Sequence, residues 1–92
     1  SYTVDALLNW DSIKSVFVSF GLMSRVRTYN QHDIDNAIAN PNTVCLLNVD
    51  QGGHWVVALS RLPLSNTYWV ADPWGGKRRL YSGVVGYAVI GR

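Results

Sequence analysis

The feature that most constrains this chain is a change of hydrophobic period at Thr43. Before it, apolar residues recur at helical spacing. After it, they form a nearly unbroken run over Thr43–Val49 and then alternate. Helical faces repeat every 3.6 residues and strand faces every two, so the change separates helices from strands. The chain therefore reads as an α+β domain, with N-terminal helices packed on one face of a mainly antiparallel sheet. A length of 92 residues allows one core, so 1–92 is taken as a single domain.

Along the chain, Thr3 caps a short helical turn over 4–8. Asp11 or Ser12 starts a firmer helix with Ile13, Val16, Phe17 and Phe20 on one face, closed by Gly21. Residues 25–29 form a short extended piece. The spacing predicts a helix over Gln31–Ala39, with Ile34, Ala37 and Ile38 inward and Asn40-Pro41 as its stop. Thr43–Val49 suits a central strand, and 50–53 is turn chemistry. Strands at 54–60 and 67–72 form a hairpin through a loop containing Pro63. After the turn at 73–76, Lys77–Tyr81 and 84–90 form a second hairpin through Ser82-Gly83.

Composition removes several function classes. The single cysteine, Cys45, excludes an internal disulfide and a cysteine-based zinc cluster. His32 and His54 differ too much in context to share a metal, and no cofactor is expected. Glycines 75 and 76 do not follow phosphate-loop spacing. Net charge is +2, and its basic residues gather at Arg25 with Arg27 and at Lys77-Arg78-Arg79. Without an aromatic-interleaved basic stripe, these read as solvated strand ends and not as a nucleic-acid site. No apolar run is long enough for a membrane helix, and no secretory signal is visible. The expectation is a soluble chain whose localisation stays open, with secretion and virion association as options. Four Trp and five Tyr supply aromatic surface for packing or for a partner.

The residues that can carry chemistry are His54 and Asp72. One opens a strand of the first hairpin and the other closes its partner. If Ser60 lies opposite Asn66, then His54 lies opposite Asp72, and a slip of one residue puts them on different faces. In the first case an aspartate can bond the imidazole, fix its tautomer and stabilise the imidazolium. Glycines before His54 keep that edge open, Gln51 sits at the rim with Gly53, and Trp55 and Trp74 can wall a cleft. Read blandly, His54 is a strand-start surface residue and Asp72 a turn starter.

The local text "GGHWVVAL", then "YWVADPWGG", then "GYAVIGR", resembles the bacteriocin-processing branch of the papain-like cysteine peptidases. The likeness covers residues 33–90 and, more faintly, "NWDSIKSVFVSFGL". It implies a papain-like fold, His54 as general base and Asp72 as the acid that orients it. It also implies a peptide or peptidoglycan substrate.

One part of that pattern is missing. The family's nucleophilic cysteine opens an N-terminal helix behind a glutamine, and nothing before Val44 is a cysteine. Cys45 lies inside an apolar strand, where a thiol has little reactivity. Ser12, Ser15, Ser19 and Ser24 lack the glycine elbow of a hydrolase serine. Gln31 and Gln51 do not occupy the oxyanion position. Three explanations of the missing nucleophile stay open: it comes from a preceding segment or companion chain, the domain is a degenerate relative that binds peptides without cleaving them, or the match is of fold alone or another residue has taken over the role. As a function, a structural piece of a larger virion or secretion assembly is a further option.

Overall fold

The computed structural model describes residues 25–73 and 76–91. Strand β1 (Arg27–Thr28) precedes helix α1 (Gln31–Ala39), then β2 (Thr43–Val49), β3 (His54–Arg61), β4 (Tyr68–Asp72), β5 (Lys77–Tyr81) and β6 (Gly86–Gly91). They form one six-stranded sheet in the order β1-β6-β2-β3-β4-β5, and the pairings are antiparallel.

This corrects the expected papain-like α+β arrangement. Among the described residues 51% are in strands and 20% are helical, and a single short α-helix, not a set of N-terminal helices, lies against the sheet. The helices expected over 4–8 and from Asp11 to Gly21 lie outside the described residues. What organises the described core is the sheet. Its three central strands, β6, β2 and β3, are nearly continuous apolar runs, as strands buried on both faces require.

Helix α1 covers one of those faces. The Asn30 side chain accepts from the Asp33 amide at 3.0 Å and caps its start, and its C-cap is Asn40. Ile34 and Ala37 pack with Cys45, Leu47, Val49, Val56, Ala58, Tyr68, Val70 and Tyr87. The other face gathers Val44, Leu46, Trp55, Val57, Ala71, Ala88 and Ile90. Fully burying side chains such as Leu46 and Leu47 is worth about 1.5–3 kcal/mol each.

The second expected hairpin is also corrected. Strand β6 does not pair with β5; it crosses to the far side of β2 and lies between β1 and β2. The burial patterns give the reason. In β6, Gly86, Tyr87, Ala88 and Ile90 are buried, so it needs neighbours on both sides. In β5, Lys77 to Leu80 are exposed, and a charged strand belongs at an edge. Among the described residues its one partner strand is β4.

Candidate active site

The β3–β4 register places the two candidate residues. Val57 faces Ala71 and Ala58 faces Val70, with a bulge between Ala58 and Ser60, and Ser60 faces Trp69. Ser60 is thus not opposite Asn66. Continuing the ladder by one step sets Asp72 against Val56, with His54 two residues further along. An offset of two preserves the face, so His54 and Asp72 are diagonal neighbours on the helix-covered side. Diagonal side chains on one face are about 7–8 Å apart at the backbone, within reach of long groups.

They meet. His54 Nε2 lies 2.7 Å from Asp72 Oδ1, with the side chains only 3% and 0% exposed. A carboxylate only accepts, so Nε2 carries the proton, and Nδ1 is then the basic nitrogen of the neutral ring. A buried carboxylate needs compensating partners. Asp72 has a second one in Arg79, whose Nη2 forms an ion pair at 2.9 Å to Oδ2.

The turn before His54 is tightly wound. Asp50 (φ 53°), Gln51 (φ 57°) and Gly52 (φ 95°) are all left-handed. Aspartate tolerates this conformation and glycine has no Cβ to clash, but Gln51 is held there at a cost of about 1–3 kcal/mol. The Gly53 amide donates to the Asp50 carbonyl at 3.1 Å. Asn48, with its amide nitrogen turned toward the turn, donates to the His54 and Gly52 carbonyls at 3.0 Å each. Tyr81 donates from its hydroxyl to Asp50 Oδ2 at 3.2 Å, and its ring centroid lies 6.1 Å from that of His54.

The other predicted site residues are dispersed. Gln51 and Gly53 are exposed on the turn beside the dyad. Trp55 is buried, 7% exposed, in the cluster on the opposite face, so it does not wall the same cleft as His54. Trp74 lies outside the described residues. Gln31 is occupied elsewhere, its Nε2 donating to the Ser65 carbonyl and Asn66 Oδ1. His32 is exposed and its ring contacts Asn36. Cys45 is 2% exposed, and burial pushes its thiol up to about 12. Among the described residues no group of His, Cys, Asp or Glu can hold a metal ion. No helix there is long and apolar enough to cross a membrane.

Arg79, Tyr81, Asp50 and Asn48 were not predicted as parts of the site. A signal for Arg79 exists in the text: folding β4 back on β5 as a tight hairpin puts Arg79 and Tyr81 on the Asp72 face by simple alternation. Compared with family models, curated proteins and solved structures, the chain matches none.

Proposed function

We propose that this chain supplies the base and its orienting acid to a cysteine-type peptidase or amidase acting on peptide or peptidoglycan amide bonds. His54 is the general base, Asp72 holds its ring, and the thiol comes from a preceding segment or a companion chain. The observation that carries this reading is the buried 2.7 Å His54–Asp72 hydrogen bond. An aspartate on one ring nitrogen leaves the other as the base, which is the arrangement that activates a thiol. The resemblance of "GGHWVVAL" and "YWVADPWGG" to the bacteriocin-processing peptidases points to the same chemistry.

In this mechanism, His54 takes the thiol proton, the thiolate attacks the amide carbon, and the imidazolium protonates the departing amine. Water then cleaves the thioester, with His54 again as base. Asp72 compensates the positive ring at both stages. The test uses the complete polypeptide with purified peptidoglycan and with synthetic peptides. New amino termini should appear and should be abolished both by thiol alkylation and by His54→Ala. Release that neither treatment changes overturns the proposal.

A second reading is a module that holds a peptide without cutting it. The burial of the dyad and the charge contact to Arg79 are compatible with a structural role. In that case no new termini appear, and thiol-reactive substrate analogues label nothing.

A further inference from the structure

Asp72 is held from two sides, and the second holder is itself tied into the turn that presents His54. Arg79 faces Val70 in the β4–β5 ladder, which sets its side chain diagonal to Asp72 on the dyad face. Arg78 faces Ala71 and leaves from the opposite face. The Arg79 guanidinium lies 4.6 Å above the Tyr81 ring. Its Nη2 donates to the Tyr81 hydroxyl and lies 2.9 Å from Asp72 Oδ2 as an ion pair. A planar guanidinium can hold the ring, the hydroxyl and the carboxylate at once, which a compact lysine ammonium matches less well. The Tyr81 hydroxyl in turn donates to Asp50 in the left-handed turn.

We propose that Arg79 is a positioning residue for the His54–Asp72 dyad: stacked on Tyr81 and tied through it to Asp50, it fixes the Asp72 carboxylate so that Oδ1 stays aimed at His54 Nε2. The chain of contacts Asp50–Tyr81–Arg79–Asp72–His54 joins the β2–β3 turn, β5, β4 and β3 into one frame. A carboxylate anchored at both oxygens cannot rotate away from the imidazole. Freed at Oδ2, it can, and the ring then loses the bond that fixes its tautomer. This inference rests on the functional reading above for its catalytic meaning, but its test needs no turnover.

The experiment is nitrogen-15 NMR of the full 92-residue chain, following the His54 ring nitrogens and solvent exchange of the Nε2 proton. The parent chain should show the Nε2–H tautomer with a slowly exchanging proton. Arg79→Met should accelerate that exchange about tenfold, the scale expected for losing one charge-assisted contact, and mix the tautomers. Arg79→Lys should fall between, and Arg78→Met should leave the signal unchanged. If Arg79→Met and Arg78→Met behave alike in folded protein, the proposal is overturned. Should Arg79→Met not fold, Tyr81→Phe decides: faster exchange supports the clamp and parental exchange overturns it. If the clamp responds as expected while no amide is ever cleaved, the peptidase reading falls and the positioning role stands.

Discussion

His54 and Asp72 are joined along the diagonal of the β3–β4 ladder by a 2.7 Å hydrogen bond that is almost wholly shielded from water. Because Arg79 engages the other carboxylate oxygen, the pair is part of a charge-compensated network. Networks of this kind are expensive to break at one member, since the remaining polar groups stay buried.

Asp72→Asn removes the negative charge while keeping the shape. Its amide can accept from His54 or from Arg79, but its nitrogen then faces a donor. The chain should lose about 1.5–3 kcal/mol of stability at neutral pH, read by urea denaturation. Parental stability in this variant contradicts the network.

Asp35 and Arg61 give a pH-dependent term elsewhere. Arg61 Nε and Nη2 bond the Asp35 carboxylate at 2.9 and 2.8 Å, and the hydrogen bonding holds Asp35 below its ordinary 3.8. A depressed folded value means the stabilisation is present above that pH and is lost as pH falls through and below it. The side chains are 23% and 35% exposed, so solvent screening keeps the term small. Asp35→Asn should therefore cost about 1 kcal/mol or less near pH 7. Urea midpoints of the two proteins should converge in strong acid; an equal gap at both pH values contradicts the assignment.

Cys45 should be inert. With burial raising its thiol to about 12, iodoacetamide should not label the folded chain at pH 8, and should label it fully in denaturant. Rapid labelling under native conditions would return Cys45 to consideration as a nucleophile.

Helix α1 and strands β2, β3 and β4 were legible because their apolar patterns are local and strong. Asn30 and the Asn40-Pro41 stop delimit α1 where the sequence predicts it, Gln31–Ala39. The partner of β6 was not legible. Ser82-Gly83 looks like a hairpin turn, and nothing near it in sequence says that β6 belongs beside β2; only burial on both faces does. The place of Arg79 depends on the same topology, since it is the pairing of β5 with β4 that puts Arg79 on the Asp72 face. The His54–Asp72 contact was legible despite a misplaced register, because the true offset of two keeps both residues on one face.

Gly86 tests the observed topology. A Cβ there would sit 2.9 Å from the Arg27 carbonyl oxygen, where β1 and β6 pair Thr28 with Gly86. Gly86→Ala should destabilise the chain by about 1–3 kcal/mol through overpacking, visible in thermal unfolding. Alanine tolerated there without loss would argue against the β1–β6 pairing.

The most direct test of the central claim is the turnover of His54→Ala in the polypeptide that carries the thiol. A lost general base should lower kcat/KM by about 10²–10⁴-fold while circular dichroism shows the fold retained. Parental kcat/KM in the folded variant would contradict the account.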